Sequence, residues 1–166
     1  RRKNNEFQPP PAVNRGPAHR LSGGQVRAAV DRFAEEVPPG RRKVTFIGGE
    51  PLLDFPLLVE SAAYAREALG ADAVLQTFTN GLLLTPERFA ALERLGVHVT
   101  VSLDGRKEDN DARRVLAGGK AGSVYDAALK ALDGLPKDRL GVSLVFGAES
   151  VERLLANVDH FYRMGF

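Results

Sequence analysis

The sequence predicts an α/β protein, a partial (β/α) barrel with parallel strands inside and helices outside. Segments patterned as helices and strands alternate regularly from Leu21 onward. One strand has polar side chains along a single face, and small or polar residues follow several of the strands. Strands that alternate with helices of three or more turns run parallel and are joined by right-handed crossovers.

Five helices are predicted, and most of them begin at a capping residue. Ser22, with Gln25 three positions later, forms a capping-box pattern. Thr85 precedes Pro86, and proline is favoured at the first helical position. The remaining helices are expected to begin near Asp54, after Ser123 and after Ser150.

Four parallel strands are predicted side by side, in the order 43–48, 74–80, 97–103 and 140–146. In the third, alternate side chains point to opposite faces. One face is apolar, and the other carries His98, Thr100, Ser102 and Asp104. A parallel strand buried on both faces is apolar throughout. The polar face therefore favours a barrel with a hydrated interior, and ligands of such barrels lie at the carboxyl ends of the strands.

Composition excludes several classes of function. The 166 residues are 43% hydrophobic and 27% charged, with a net charge of +2 and no tryptophan. These values fit one cytoplasmic domain and argue against a membrane span or a nucleic-acid partner. Arg41, Arg42 and Lys43 are interpreted as solvated surface. There is no cysteine, and the three histidines lie far apart in sequence, so no metal ligands are predicted.

The segment Gly48-Gly49-Glu50-Pro51 directly follows the first predicted strand. Two glycines let a ligand approach the backbone, and a carboxylate can bind an ammonium group. Proline then fixes the direction in which the chain leaves. Taken alone, the segment also fits a tight turn in which the acid caps the next helix.

Two more polar segments follow the next strands. Thr79-Asn80-Gly81 ends the second strand, and Ser102-Leu103-Asp104-Gly105 ends the third. Each contains a turn dipeptide, so each alone also fits an ordinary turn. Ser102 and Asp104 share one face, where they suit a ligand with ribose hydroxyls. All three motifs together are expected to open onto one cleft.

The order and spacing of these motifs resemble the radical SAM superfamily, and most of all its peptide-modifying maturases related to anaerobic sulfatase-maturating enzymes. Asp111-Ala-Arg-Arg114 and Gly119-Lys120-Ala-Gly122-Ser123 resemble two further elements of those maturases. The resemblance extends from about Leu21 to Phe166.

The resemblance implies S-adenosylmethionine as cofactor and a peptide or protein as substrate. Gly48, Gly49, Glu50 and Pro51 would hold the methionyl ammonium, with Glu50 as its acid. Asn80 would line the pocket, and Ser102 would contact the ribose or face the substrate. Asp104 would do the same, and it is the candidate catalytic residue. Arg114 would lie near the methionyl carboxylate or a substrate acid.

The sequence departs from that family in one respect. The family holds a [4Fe–4S] cluster through a Cys-x-x-x-Cys-x-x-Cys loop after the first strand, and cluster iron needs thiolates. Without cysteine, the chain is expected to be a fragment that lacks the first and last strands, and only the full-length parent would hold the cluster. An opening residue of Arg1 rather than Met agrees with that expectation.

The fragment would consist of an extended loop at 1–20 and a partial core barrel at 21–166, and its open sheet edges would promote self-association.

Two alternatives remain open. One is a cluster-less, non-catalytic barrel module that binds a peptide or a nucleotide. The other is an unrelated barrel enzyme, in which Glu50 and Ser102 would not share a pocket. The upstream gene sequence distinguishes the fragment from the cluster-less module.

Overall fold

The computed structural model describes residues 21–116, 121–148 and 150–166, so the predicted loop at 1–20 lies outside the described residues. One sheet contains four parallel strands in sequence order. These strands are β1 (Lys43–Phe46), β2 (Val74–Thr79), β3 (Val97–Ser102) and β4 (Gly141–Ser143). The predicted order and parallel direction are confirmed.

Six α-helices connect and flank the strands within the described ranges: α1 (Gly23–Glu36), α2 (Phe55–Leu69), α3 (Pro86–Arg94), α4 (Lys107–Asp111), α5 (Val124–Ala131) and α6 (Leu154–Arg163). Short 3₁₀ turns occupy Pro51–Asp54, Lys137–Arg139 and Val151–Arg153. The capping box at Ser22 is confirmed, and Thr85 and Ser123 cap α3 and α5. In the part of the chain that the structure covers, no helix is both long and apolar enough to cross a bilayer.

The hydrophobic core lies between one face of the sheet and the helices. On β3, Val97, Val99 and Val101 are at most 5% exposed, and they belong to one cluster with apolar residues of α2, α3 and α5. On the opposite face, His98 is exposed and Ser102 is half-buried. Removal of apolar surface from water therefore fixes the helices on one side and leaves the polar strand face available for a site.

One arginine connects the carboxyl ends of α1 and α2. Arg42 donates to the carbonyl oxygens of Ala34 (2.8 Å) and Val37 (2.8 Å), at the carboxyl end of α1, and to that of Leu69 (3.2 Å), at the end of α2. Helix carboxyl ends carry unpaired carbonyls and a partial negative charge, which a guanidinium satisfies. The interpretation of residues 41–43 as solvated surface is therefore wrong for Arg42.

Three features differ from the sequence prediction. The strand predicted at 140–146 is shorter, because the Val145 amide leaves the sheet and donates to the Asp104 carboxylate (3.0 Å). Ser150 does not cap α6, since its hydroxyl accepts from Arg113 (2.7 Å) and from the Gly147 amide (3.1 Å). Helix α4 was not expected, because its five polar residues have no apolar periodicity.

Candidate functional site

A cavity of about 320 Å³ opens at the carboxyl ends of the four strands. This is the volume of a small-molecule site. Each strand, or the loop that follows it, supplies part of the wall. The lining residues are Ile47, Gly48, Gly49, Glu50, Phe78, Thr79, Asn80, Ser102, Arg114, Ser143 and Val145.

Glu50 joins the end of β1 to the end of β2. Its Oε1 accepts from the Thr79 hydroxyl (2.7 Å) and the Leu52 amide (3.0 Å), and its Oε2 accepts from the Asn80 amide (2.8 Å). A carboxylate has about four lone-pair positions, so the three donors from the described part of the chain leave one for a ligand N–H. Glu50 is half-buried and lines the cavity. It caps the 3₁₀ turn and also presents an anionic oxygen at the cavity wall.

Gly48 and Gly49 form the wall beside Glu50. Neither residue has a positive φ, and a Cβ added at either would meet no atom of the described residues within 4 Å. Packing within the described part of the chain therefore does not require glycine at these positions. A ligand that lies against the backbone does require it, because a side chain would fill the space.

Polar groups on neighbouring strands complete the wall. Asn80 Oδ1 accepts from the Leu82 amide (2.9 Å), which fixes the side chain at the end of β2. Ser102 and Ser143 pair in register across β3 and β4, and both hydroxyl-bearing side chains are half-buried. The site thus presents an amide and two hydroxyls in addition to the carboxylate.

Arg114 and Asp104 form a two-pronged ion pair at the other side of the cavity. Arg114 Nε lies 2.8 Å from Asp104 Oδ2, and Nη2 lies 3.0 Å from Oδ1. The Asp104 side chain is 5% exposed, whereas that of Arg114 is 27% exposed and lines the cavity. The ion pair therefore places the carboxylate behind the wall and the guanidinium on it.

Asn110 connects both members of that pair. It is fully buried, and its Oδ1 accepts from the Asp104 amide (3.1 Å). Its carbonyl oxygen accepts from the Arg114 amide (2.9 Å). Its Nδ2 donates to Asp111 (3.2 Å), whose carboxylate also accepts from the Tyr125 amide (3.0 Å).

Burial acts to raise the pKa of Asp111, but hydrogen bonds from Ser123, Tyr125 and Asn110 together hold this pKa below its ordinary value. Asp111 is therefore an anion at neutral pH, and it anchors Asn110 to the start of α5.

The structure brings six of the predicted site residues to one cavity: Gly48, Gly49, Glu50, Asn80, Ser102 and Arg114. Pro51 begins the 3₁₀ turn and does not line the cavity. The expectation that Asp104 opens into the cleft is corrected: Asp104 is not among the lining residues, and its buried carboxylate accepts from Arg114 and the Val145 amide. Glu50 and Ser102 share the cavity, which contradicts the hypothesis of an unrelated barrel enzyme.

Sequence reasoning missed several residues of the site. Thr79 and Ser143 line the cavity, and Asn110 supports it from behind. Ser143 pairs in register with Ser102, on the next strand of the sheet. The polar face of β3 could therefore have indicated that the neighbouring position on β4 also faces the site. No group of three or more metal-ligating side chains occurs in the ranges covered by the structure.

Comparison with known proteins gives a family match and partial relatives. The sequence profile described as the radical SAM superfamily matches residues 8–160. Fe-coproporphyrin III synthase of Methanosarcina barkeri (strain Fusaro / DSM 804) is 38% identical over 129 residues, which are 76% of this chain and 29% of the relative. GTP 3',8-cyclase of Synechococcus sp. (strain CC9902) is 40% identical over 98 residues, which are 57% of this chain and 28% of the relative.

Solved structures show the same fold. Native anSMEcpe with bound AdoMet superimposes with a TM-score of 0.69 and 20% sequence identity, over 85% of this chain and 39% of that one. Native anSMEcpe with bound AdoMet and Cp18Cys peptide gives 0.68, also at 20% identity, over 85% and 40%. The chain thus spans less than a third of the curated relatives and about two fifths of the solved chains.

Proposed function

This chain belongs to the radical SAM superfamily, and from that premise we propose that its cavity binds S-adenosylmethionine. The observation that carries the proposal is that Glu50, Asn80, Ser102 and Arg114, from four separate segments of the chain, line one cavity at the carboxyl ends of the strands. Barrels of parallel strands bind their ligands at the carboxyl ends of the strands.

The charges of the cavity suit the amino-acid end of the cofactor. The remaining lone-pair position of Glu50 accepts an N–H of the methionyl ammonium. The remaining N–H groups of Arg114 suit the methionyl carboxylate or an acid of the substrate, because guanidinium and carboxylate groups match in a two-pronged geometry. Ser102 and Asn80 are then available to the ribose hydroxyls, and the Gly48-Gly49 backbone leaves space for close approach.

The [4Fe–4S] cluster of the family does not fit this chain, because cluster iron needs thiolate ligands and the sequence has no cysteine. We therefore propose that the cluster belongs to a longer protein and that the 166-residue chain alone does not cleave S-adenosylmethionine. Incubation of the chain with iron and sulfide should give no visible charge-transfer absorption. Formation of 5′-deoxyadenosine after addition of a reductant would contradict this proposal.

A peptide or protein is the proposed substrate of the longer protein. One solved relative with this fold holds a peptide together with AdoMet. Around the cavity mouth, the Ile47 and Val145 side chains are 72% and 58% exposed, and such exposed apolar surface suits a peptide side chain. The cytoplasm remains the expected location.

The absence of cysteine also supports a second candidate, a cluster-less module that binds a nucleotide or a peptide without chemistry. The two candidates differ in the full-length gene product. Three cysteines at the family spacing upstream of this chain support the enzyme, and their absence from the whole gene supports the module.

The cofactor site is tested by isothermal titration of the chain with S-adenosylhomocysteine, which carries the same nucleoside and amino-acid groups. Glu50→Gln should weaken binding about tenfold, because one charge-assisted hydrogen bond contributes about 1.4 kcal/mol more than a neutral one. Ser102→Ala should weaken it several-fold. Glu67→Gln, on the exposed side of α2, is the matched control and should bind like the unmodified chain. Absence of binding, or normal binding by Glu50→Gln in a folded variant, would contradict the proposal.

A further inference from the structure

Asp104 and Asn110 form a support behind the cavity, and neither residue lines the cavity itself. Asp104 is 5% exposed and Asn110 is fully buried. A buried carboxylate and a buried amide are retained only where hydrogen bonds satisfy them. The bonds of both residues lead to Arg114, whose side chain reaches the cavity.

Asp104 takes one edge of the guanidinium and leaves another edge available. Its two carboxylate oxygens accept from Nε and Nη2 of Arg114, which uses two of the five N–H donors. The other three donors make no hydrogen bond among the residues that the structure describes. Because the group is planar and fixed along one edge, its free edge points in a defined direction.

Asn110 sets the separation between the two members of the ion pair. Its side chain holds the Asp104 backbone, while its carbonyl holds the Arg114 backbone one helical turn later. Asp111 in turn anchors the Asn110 amide. The pair is therefore fixed by its backbone as well as by its charges.

We propose that Asp104 and Asn110 are positioning residues that aim Arg114 at a carboxylate of the bound ligand. The proposal rests on the proposed cofactor site and extends it, since it replaces the expected catalytic role of Asp104 with one exerted through Arg114. It predicts that Asp104 affects the binding of ligands that carry a carboxylate and spares those that lack one.

The test compares two ligands that differ in the amino-acid group. S-adenosylhomocysteine has the carboxylate, whereas 5′-methylthioadenosine has the same nucleoside and thioether without it. Asp104→Asn should lower the affinity for S-adenosylhomocysteine about tenfold and leave that for methylthioadenosine unchanged. Arg114→Lys keeps the charge but loses the two-pronged geometry. It should lower the ratio of the affinity for S-adenosylhomocysteine to that for methylthioadenosine by a similar factor. Asn110→Ser should also lower this affinity ratio.

A merely structural role predicts something else, namely that both ligands lose affinity equally as the variant loses stability. An unchanged or increased affinity ratio in folded Asp104→Asn would overturn the positioning role. A second measurement needs no ligand: the Arg114 Nε–H proton in the chain should exchange slowly with solvent, and fast in Asp104→Asn. If neither ligand binds the unmodified chain, the cofactor site fails, and this exchange rate alone decides whether Asp104 orients Arg114.

Discussion

Arg66, on α2, donates from Nη2 to the carbonyl oxygen of Gly96, in the turn between α3 and β3, at 3.1 Å. Its other guanidinium nitrogens donate to the carbonyl oxygens of Gly70, Ala71, Ala73 and Leu95, at 2.8–3.1 Å. One side chain thus connects the end of α2 to the chain that enters β2 and to the chain that enters β3.

Arg66→Lys should destabilise the chain by about 2–3 kcal/mol, which is the typical contribution of hydrogen bonds to a charged group. An ammonium has three donors on a flexible stem and cannot reach five carbonyls at once. Urea unfolding followed by circular dichroism measures the change. Arg94→Lys, at an exposed position of α3, is the control and should change stability by less than about 0.5 kcal/mol. Equal stability of the two variants would show that the carbonyls are satisfied by water instead.

Gly105→Ala should be among the most damaging small substitutions in the chain. Gly105 has φ +129°, and a Cβ there would lie 2.6 Å from Cγ of Asn157, a side chain that is 2% exposed. We expect a loss of about 3 kcal/mol from strain and overpacking combined. Gly134→Ala separates strain from overpacking, because Gly134 also has a positive φ but an added Cβ there would meet no atom within 4 Å among the residues that the structure covers. It should lose only about 1 kcal/mol in the same unfolding measurement.

Acid should weaken the contact between α4 and α6 through Asp109. Hydrogen bonds from Arg153 (2.6 Å) and Asn157 (2.9 Å) hold the pKa of the Asp109 carboxyl below its ordinary value. The stabilisation is therefore complete above the unfolded-state pKa of about 3.9, and it is lost as the pH falls through the lower pKa of the folded state.

Asp109→Asn measures that contribution. At pH 6 it should cost about 1 kcal/mol, because the Arg153 side chain is 55% exposed and water screens the pair. The difference from the unmodified chain should shrink towards pH 2.5 in urea unfolding. Asp159→Asn removes an ion pair within α6 whose two side chains are 49% and 77% exposed, and it should change little at either pH. A pH-independent effect of Asp109→Asn would exclude the linkage.

The sheet edges should exchange amide hydrogens faster than the sheet centre. In the described part of the chain, β1 and β4 each pair with a single strand, whereas β3 pairs on both sides. Amides of 43–46 and 141–143 are expected to exchange faster than those of 97–102. Sedimentation at rising concentration should detect self-association, since unpaired edges bind other strands. Equal, strong protection of all four strands in a verified monomer would contradict both expectations.

Sequence patterns predicted the sheet well, because the alternation of apolar and polar residues in β3 is a local property. The strand order followed from the alternation of helices and strands, and the helix caps at Ser22 and Thr85 followed from their capping residues. The roles of Arg42 and Arg66 could not be predicted, because their acceptors lie up to 30 positions away along the chain. The orientation of the Asp104 carboxylate depends on its ion pair with Arg114, ten positions later. No local sequence pattern predicts that pairing.

The cavity wall is assembled from successive segments of the chain, and this makes the chain suitable for cutting into complementary halves. A break between Leu84 and Thr85 leaves Glu50 and Asn80 on one half, with Ser102 and Arg114 on the other. Each half therefore supplies only part of the cavity wall, and the cavity is complete only when β2 pairs with β3. In such a split protein, a ligand of the proposed site would favour reassembly of the halves, and a fluorophore on each half would report it.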